Sequence, residues 1–473
     1  MGFTGISQQW SCKIATCFRR LKIRARGHNS VTRADVTTKS ASLILGLGLG
    51  ITLGLYLITT TAHDWLWPYP VIMSASRLCA LVGTYFALVG LVMTSRIAWI
   101  ERAVGHDRLV YWHRRLGPYS LFLIGFHVLL VAIAYAGGDG SRVGGELWKF
   151  TTTYVWMMPA TLGFIFFVVA GVSSYKKVRK KLSYEAWWTI HLYTYLAIAL
   201  SFMHQIRTGP MFMSHPLSKW YWEGLYILVA STILFWRFVI PFTRFFRHDL
   251  RVYKLVDEGA GMVSVIMRGR NLDHMKAEGG QFFSWRFMIP GHRWVSHPYS
   301  LSAAPTKTEF KITVKNLGDG SSALRDLTPG TRVFFEGPYG IFTAGKVTQG
   351  LGHAVLIGGG VGIAPLVAIM DAFDDSIDVD VLVRVSSEEE IVLNRELDDL
   401  AKRRGAKVHY LVGSRKSHPM TAKQIMRYVP DFRFCDVYVC GPTAMVEAVR
   451  SAASACGIPK ERFHTEVFEF HAN

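Results

Sequence analysis

The sequence predicts a membrane-embedded bundle of six helices followed by a soluble module, which combines a small antiparallel β-barrel with a doubly wound α/β domain. Three observations lead to this prediction. Half of the 473 residues are hydrophobic, and the longest apolar runs lie in the first half of the chain. A stretch of short, period-two strands follows, and the last part alternates apolar strands with helical segments. These patterns indicate a membrane protein with a soluble domain.

Six segments are long and apolar enough to cross a bilayer, which requires about 20 residues each. Basic residues cluster in the loops before the third and fifth segments, whereas the opposite loops contain few. The positive-inside rule then places the N-terminus, these two loops and everything after the sixth segment in the cytoplasm. We therefore expect a multi-pass protein of the plasma (cell inner) membrane. The predicted segments are 41–61, 76–98, 116–136, 153–174, 184–204 and 220–241.

The net charge of +19 does not indicate a nucleic-acid-binding protein. The basic residues lie at helix ends and in the N-terminal stretch, without interleaved aromatic residues or a nucleic-acid motif. They are better explained by membrane orientation and by anionic cofactors. Residues 1–40 lack an apolar core with a cleavage site, so we expect a basic cytoplasmic tail rather than a signal peptide. The six cysteines lack the C-x-x-C spacing of metal sites, which fits a reduced cytosolic module.

Four histidines lie within two of the predicted membrane helices. The third segment carries His113 and His127, and the fifth carries His191 and His204. Both helices run outward, so a rise of about 1.5 Å per residue pairs His113 with His191 at an inner depth and the other two roughly 20 Å further out. Polar groups are costly in lipid, and paired imidazoles are suitable axial ligands for haem iron. We therefore predict two haems; the alternative is four hydrogen-bonded structural histidines.

The spacing within each helix fits this arrangement unequally. Fourteen residues bring His127 to within about 40° of the face of His113. Thirteen residues leave His204 about 140° out of line with His191. Helix tilt, a local π-bulge or side-chain reach has to compensate in the fifth segment.

Two motifs in the predicted barrel suit a flavin dinucleotide. In HPYSLSAAP, Tyr299 offers an aromatic face, Ser300 a hydroxyl for the flavin N5 and His297 a donor for phosphate. About 20 residues later, NLGDGSS supplies backbone donors and hydroxyls for a phosphate group. Each motif alone is common in strands and turns, but together and in this order they predict FAD binding. The predicted contacts are His297, Pro298, Tyr299, Ser300, Leu301, Ser302, Gly318, Asp319, Gly320, Ser321 and Ser322.

The segment LIGGGVGIAPL carries a glycine-rich turn at the first strand-to-helix junction of the α/β domain. Glycines let the backbone approach a pyrophosphate, and the N-terminus of a helix, expected near Pro365, favours its charge. At the end of the last strand, VYVCGP places Cys440 where a nicotinamide would lie, although a buried structural cysteine is the alternative. The predicted nucleotide contacts are Gly358, Gly359, Gly360, Gly362, Pro365, Cys440, Gly441 and Pro442.

Selection of NADPH over NADH requires a cation for the 2′-phosphate. Ser414 and Arg415 in LVGSRKS predict that site, with Arg384 as a second candidate. NADPH is therefore the predicted electron donor and NADH the alternative. Near the C-terminus, Phe470 is a candidate to cover the flavin until a nicotinamide displaces it, and an edge-strand or core role is the alternative.

Together these motifs resemble the NADPH oxidase and ferric reductase superfamily over about residues 76–470. The histidine spacings of 14 and 13 resemble that family's haem ligands on its third and fifth helices. HPYSLSAAP is similar to its flavin motif, and GGGVGIAP, CGP and the aromatic C-terminus resemble its dehydrogenase module. GSR resembles the Ser-Arg pair of NADP-linked reductases, whereas LVRVSSEEE shifts the usual arginine of the second nucleotide strand. The resemblance implies a six-helix transmembrane bundle plus a ferredoxin-reductase-like module, with two b-type haems, FAD and NADPH.

The implied domains are a tail (1–40), a haem-binding bundle (41–245), an FAD-binding β-barrel (246–345) and an NADPH-binding α/β domain (346–473).

Electrons would pass from cytoplasmic NADPH to an acceptor outside. The short outer loops favour dioxygen, giving superoxide; a ferric-chelate reductase is the alternative, and a non-enzymatic conduit with proton-relay histidines is a third hypothesis. Arg207, one helical turn beyond His204, would stabilise an anionic product or a chelate carboxylate, or serve as an interfacial anchor. The chain has no EF-hand loop, so direct calcium regulation is not expected. Protein partners stay undefined.

Overall fold

A computed structural model describes residues 40–466 except 292, 294 and 349. The chain forms two compact units. The membrane unit contains the first helices up to Ile100 and the segment His106–Phe238. The reductase unit contains Glu101–Gly105 and the chain from Val239 onward. The predicted tail up to residue 39 and Phe470 lie outside the described residues.

The membrane unit is helical, and its elements follow the predicted order with shifted ends. After α10 the chain continues through a π-helical segment, Leu234–Val239, into α11 of the reductase unit. The helices are α1 (Ser40–Thr59), α2 (Tyr69–Thr94), α3 (Ala98–Val104), α4 (His106–Tyr135), α5 (Val143–Thr153), α6 (Met157–Ser174), α7 (Lys176–Arg179), α8 (Tyr184–Thr208), α9 (Pro210–Ser214), α10 (Pro216–Ile233) and α11 (Ile240–His248).

Five helical spans among the described residues are long and apolar enough to cross a membrane: α1, α2, α4, α6 and the continuous helix Pro216–His248. The predicted fifth segment forms a 25-residue helix, α8, which is less apolar than the other five. Its tryptophans, tyrosines and two histidines lower its hydropathy, although its length of about 38 Å exceeds a bilayer core. Five of the six predicted spans are thus supported by length and composition, and the total of six stays a prediction.

Small residues bring the membrane helices together in two pairs, α2 with α4 and α6 with α8. A Cβ on Gly163 of α6 would lie 2.7 Å from the carbonyl oxygen of Ala197 on α8. A Cβ on Gly83 of α2 would lie 2.9 Å from Ile124 of α4. Close backbone approach at small residues is the usual way in which membrane helices associate. The two pairs position the segments that carry the four histidines.

The flavin-type half of the reductase unit consists of two three-stranded antiparallel sheets, with strand orders β1-β2-β5 and β4-β3-β6. Isolated bridges, Arg251 with Arg332 and Leu301 with Ile312, join the edges of these sheets. The two sheets enclose one core that includes Trp285, and the bridges link them at both edges; the closed barrel that the sequence predicts stays a prediction in its details. The strands are β1 (Arg251–Gly259), β2 (Met262–Arg268), β3 (Phe282–Phe287), β4 (His297–Ser300), β5 (Glu309–Lys315) and β6 (Val333–Tyr339).

The second half of the reductase unit is the predicted doubly wound domain. Its five strands are all parallel in the order β11-β10-β7-β8-β9, because each strand–helix–strand unit crosses back over the sheet. The fifth strand, β11, lies near the C-terminus, in the segment before Phe470 for which the sequence left an edge-strand role open. After α12 (Asp319–Ser322), the elements are β7 (His353–Gly359), α13 (Ile363–Ala372), β8 (Asp378–Val385), α14 (Asn394–Arg404), β9 (Lys407–Val412), α15 (Ala422–Tyr428), β10 (Asp436–Cys440), α16 (Thr443–Ala455) and β11 (Phe463–Glu466).

Candidate functional site

The four membrane histidines meet as two cross-helix pairs between α4 and α8. The ring centres of His113 and His191 are 6.0 Å apart, and those of His127 and His204 are 6.5 Å apart. The 13-residue spacing on α8 does not prevent this, although α8 is α-helical throughout and contains no π-bulge. Side-chain reach or helix tilt therefore provides the compensation that the helical phase requires.

Each of these four imidazoles has an oxygen within hydrogen-bond distance of its Nδ1 atom. For His113 this is the Gly90 carbonyl, which can only accept, so Nδ1 carries the hydrogen. For the other three it is a hydroxyl oxygen. The distances are 3.1 Å from His113 to Gly90 O, 2.9 Å from His127 to Ser76 Oγ, 3.3 Å from His191 to Ser174 Oγ and 3.0 Å from His204 to Thr208 Oγ1.

The three hydroxyl groups donate their own hydrogens elsewhere. Ser76 donates to the carbonyl of His127, Thr208 to the carbonyl of His204, and Ser174 to the carbonyl of Ala170. Each hydroxyl oxygen is therefore an acceptor toward its imidazole, and each Nδ1 is a donor. A neutral imidazole protonated on Nδ1 has its lone pair on Nε2, the atom that then binds a metal. All four rings are thus held in the form that a haem iron requires.

The separation of the rings also suits iron. Metal–imidazole bonds of about 2 Å, plus about 1.1 Å from each Nε2 to its ring centre, give about 6 Å between two rings on opposite sides of one ion. The observed 6.0 and 6.5 Å match this value. No group of three or more His, Cys, Asp and Glu side chains in the described part of the chain is placed to hold a metal ion. Each pair by itself supplies two imidazole ligands, the number that a porphyrin iron takes from the protein.

Arg207 lies on the last turn of α8, between His204 and Thr208, and its side chain is exposed. Its position one turn beyond His204 follows from the helix, as predicted. Exposure is compatible both with contact to an acceptor and with anchoring at the membrane surface.

The two predicted flavin motifs come together in the reductase unit. The rings of His297 and Tyr299 stack with centres 5.8 Å apart, and a Cβ on Gly320 would lie 2.4 Å from the His297 ring. A glycine at position 320 is therefore required for this approach. In the second motif, Ser321 Oγ donates to the Gly318 carbonyl and accepts from the backbone N–H at 317, which fixes the turn. The same turn continues into α12 through Asp319 and Ser322.

A small cavity of about 40 Å³ marks the place where the flavin and nucleotide motifs meet. Burial raises the pKa of the Tyr299 hydroxyl, which therefore stays neutral at physiological pH. The Ser300 hydroxyl is buried and has no hydrogen-bond partner among the described residues, as expected of a group that awaits a ligand. The cavity is lined by Pro298, Tyr299, Ser300, Thr313, Val314, Lys315, Val361, Ala364 and Pro365.

Two of the predicted flavin contacts, Leu301 and Ser302, direct their side chains into the protein, so their contact with a flavin stays a prediction. Leu301 is fully buried in the hydrophobic core of the flavin half, and Ser302 Oγ accepts a hydrogen bond from Thr313 Oγ1 at 2.9 Å. Neither residue lines the cavity. The cause is the return of the chain into the core after β4, where Leu301 forms its bridge with Ile312.

The glycine-rich turn packs against the end of β10. A Cβ on Gly362 would lie 2.3 Å from the Cys440 carbonyl oxygen, so only glycine fits there. Gly360 has a φ of +55° and open space above its Cα, which leaves its backbone accessible to a phosphate. The helix α13 begins at Ile363, two residues before the predicted start at Pro365. The other contacts of this turn involve Gly358 beside Ile363, and Gly359, Gly441 and Pro442 beside Met445.

Cys440 ends β10 next to the glycine-rich turn and is fully buried. Burial, and secondarily the charge of Glu466, raise the pKa of its thiol well above the usual value, so the group stays protonated. Glu466 is a site residue that the sequence did not single out. It pairs with Cys440 in the parallel register of β10 and β11. An acidic residue within the aromatic C-terminal segment was the signal that could have pointed to it.

The predicted 2′-phosphate residues lie at the carboxyl edge of the sheet. Arg384 near the end of β8 has a lowered pKa, first because of burial and second because of the positive charge of Arg415. Its Nε atom is buried without a hydrogen-bond partner in the described chain. Ser414 Oγ accepts from two following backbone N–H groups and fixes the turn that carries Arg415. Two neighbouring cations of this kind suit a dianionic phosphate.

Two family models match the chain. Residues 79–202 match "Ferric reductase like transmembrane component", and residues 356–451 match "Oxidoreductase NAD-binding domain". With the fold, these matches define the class: the chain is a membrane oxidoreductase with an FAD/NAD(P)-type reductase module. Residues 79–202 thus resemble a ferric reductase transmembrane component and residues 356–451 an oxidoreductase NAD-binding domain, in agreement with the resemblance to the NADPH oxidase and ferric reductase superfamily.

Curated relatives match the chain over less than half of its length. The ferredoxin reductase component of 3-ketosteroid-9-alpha-monooxygenase from Rhodococcus rhodochrous is 31% identical over 233 residues, 46% of this chain. The glycine betaine monooxygenase reductase subunit from Chromohalobacter salexigens is 25% identical over 239 residues, 47% of this chain. The chain spans 64% of the length of each relative. A solved structure, the FAD/NAD-binding domain of nitric oxide dioxygenase from Vibrio cholerae, is 22% identical and covers 47% of this chain and 99% of its own, with a TM-score of 0.40.

Proposed function

We propose that this protein transfers electrons from cytoplasmic NADPH, through FAD and two b-type haems, to an acceptor on the other side of the plasma membrane. The observation that carries this proposal is that the four imidazoles form two pairs across α4 and α8. The ring separation in each pair suits an iron ion, and each ring is hydrogen-bonded at Nδ1. A haem supplies one-electron transfer, and a flavin converts a hydride into single electrons. A hydrocarbon core of about 30 Å is spanned in two shorter steps when two such groups lie at different depths.

The described residues have distinct roles in this scheme. His113 and His191 would hold the inner haem, and His127 and His204 the outer haem. Tyr299 would stack on the flavin ring, and the Ser300 hydroxyl would direct its unpaired hydrogen-bond capacity at the flavin N5.

The nucleotide would bind against the glycine-rich turn. The free backbone at Gly360 and the N-terminus of α13 would hold its pyrophosphate. Cys440, a neutral thiol beside this turn, would border the nicotinamide without exchanging a proton at physiological pH. Arg384 and Arg415 favour NADPH over NADH, because a 2′-phosphate would place negative charge beside two cations that repel each other.

Dioxygen, giving superoxide, is the acceptor that we propose first. The basis is that two of the three outer connections, the turn before α2 and the one that carries α9, are short, whereas the third, between α4 and α6, carries the helix α5. A ferric chelate is the second candidate, favoured by the description of the family model that matches residues 79–202. Arg207 would serve either acceptor through its positive charge.

The test is an assay of the purified protein with NADPH. Reduction of cytochrome c that superoxide dismutase abolishes supports the oxidase. A rate that dismutase leaves unchanged, together with fast anaerobic reduction of ferric citrate, excludes the oxidase and supports the ferric reductase. Purified protein without bound haem contradicts both and leaves a conduit with proton-relay histidines.

A further inference from the structure

Thr208, the last residue of α8, makes two contacts with one histidine. Its Oγ1 donates to the His204 carbonyl oxygen at 2.6 Å and lies 3.0 Å from His204 Nδ1. The side chain is exposed, so the contact does not follow from tight packing of a buried group. A threonine that bonds back to the carbonyl four residues earlier is common in membrane helices, but this one also reaches the imidazole ring.

A second threonine on α8 shows what is particular about Thr208. Thr194 Oγ1 donates to the His191 carbonyl oxygen at 2.7 Å, so it makes the same bond to a histidine backbone. Among the described residues it makes no hydrogen bond with the His191 ring, which is contacted by Ser174 instead. Thr194 therefore has the backbone bond without the ring contact, whereas Thr208 has both.

The partner ring at the outer depth is held in the same way. Ser76 Oγ donates to the His127 carbonyl at 3.0 Å and lies 2.9 Å from His127 Nδ1. His127 also has the Ser76 carbonyl oxygen at 3.2 Å as a second acceptor, whereas the hydroxyl of Thr208 is the acceptor that the structure shows for His204. The ring of His204 thus depends on a single, replaceable side chain.

From these contacts we infer that Thr208 is the positioning residue that fixes the tautomer and basicity of His204, and thereby sets the reduction potential of the outer haem. This inference rests on the proposed haem-binding function. Donation from Nδ1–H to Oγ1 raises the electron density on Nε2 and favours the ferric form of a ligated iron. Loss of the acceptor therefore raises the potential of that haem, and the inner haem keeps its own partners.

The experiment is a redox titration of the purified full-length protein, followed by haem absorbance, with three variants. Thr208→Val removes the hydroxyl with little change of shape, Thr208→Ser retains it, and Thr194→Val removes only a backbone contact on the same helix. We expect two midpoint potentials in the wild type. In Thr208→Val one of these potentials should rise by about 59 mV. For a one-electron couple this changes the ratio of reduced to oxidised haem at a fixed potential roughly tenfold. Thr208→Ser and Thr194→Val should keep both potentials.

The outcomes separate this inference from the function on which it rests. A wild-type protein without two haems refutes the proposed function before any variant is compared. A wild type with two haems whose potentials are the same in Thr208→Val, or shift equally in Thr208→Ser or Thr194→Val, overturns the role of Thr208. Loss of one haem in Thr208→Val but not in Thr208→Ser supports it, because only the hydroxyl distinguishes the two variants.

Discussion

A metal-binding histidine is oriented, and its tautomer is fixed, by a hydrogen-bond partner at its other ring nitrogen. The spacing of His113, His127, His191 and His204 made their pairing predictable from the sequence. The Nδ1 partners of His113 and His127 were not predictable, because Gly90 and Ser76 lie on α2, distant in sequence from the rings that they contact on α4. Such contacts depend on how two helices dock, which a hydropathy pattern does not specify.

The flavin motif shows the same limit at residue scale. Tyr299 and Ser300 border the cavity, while Leu301 and Ser302 turn into the core. The residue types of HPYSLSAAP gave no indication of where the chain leaves the surface.

The pair Arg384 and Arg415 yields a prediction about cofactor choice. Arg415→Ala should raise the KM for NADPH roughly tenfold to a hundredfold and leave that for NADH nearly unchanged, because a charged hydrogen bond to a phosphate contributes about 1.5–3 kcal/mol. Steady-state kinetics with both nucleotides and ferricyanide measures this. Arg427→Ala, an exposed arginine on α15, is the matched control and should behave as the wild type. An equal loss with both nucleotides would show that Arg415 does not contact the 2′-phosphate.

At the scale of elements, the alternation of strands and helices was sufficient to predict the parallel sheet. The membrane half was harder, since α8, which carries His191 and His204, lacks the continuous apolar stretch found in the other five predicted spans. The antiparallel strands of the flavin half were predictable, but their ladder was not: the two sheets are joined at their edges by single-pair bridges, which strand patterns do not specify.

The contact between α6 and α8 leads to a second prediction. Gly163→Leu should separate these helices, because even a Cβ would lie 2.7 Å from the Ala197 carbonyl oxygen. We expect haem content to fall by at least about half. His191 and His204 lie on α8, and their position against α4 depends on how α8 packs on α6. Pyridine haemochrome spectra of purified protein give the content. Gly224→Leu on α10, where a Cβ would meet nothing within 4 Å, should retain both haems, and similar losses in the two variants would refute the packing argument.

Strands β7 and β8 are joined by a titratable contact. His353 Nε2 lies 2.8 Å from Asp380 Oδ2, and this contact, followed by one with Cys435, raises the pKa of His353 to about 10. A raised pKa stabilises the fold fully below the unfolded value of about 6.5, and the contribution is lost as the pH rises through about 10. His353→Gln should lower the free energy of unfolding by about 2 kcal/mol at low pH and remove this part of the decline between pH 7 and 10.

Thermal unfolding of the full chain across that pH range measures the effect. His409→Gln on β9, whose Nε2 has no hydrogen-bond partner among the described residues, is the control and should retain the decline. A His353→Gln variant with the wild-type pH profile would show that the contact does not contribute.

At the scale of the whole molecule, the order of the domains was predictable because each has its own sequence pattern. A membrane span needs about 20 apolar residues, a strand alternates with a period of two, and a helix has a period of 3.6 residues. The acceptor was not predictable, since dioxygen and ferric chelates require the same histidines and the same reductase module. That choice depends on the surface around Arg207, and the sequence pattern does not show how exposed side chains there are arranged.

The central claim is that electrons cross the membrane through the two histidine pairs, and one measurement tests it most directly. The protein is reconstituted into vesicles with its reductase unit outward, NADPH is added outside, and reduction of a membrane-impermeant acceptor trapped inside is followed. The wild type should reduce the trapped acceptor. A variant with alanine at His113, His127, His191 and His204 should not, while it still reduces ferricyanide added outside through the flavin. Equal reduction of the trapped acceptor by that variant would contradict the account.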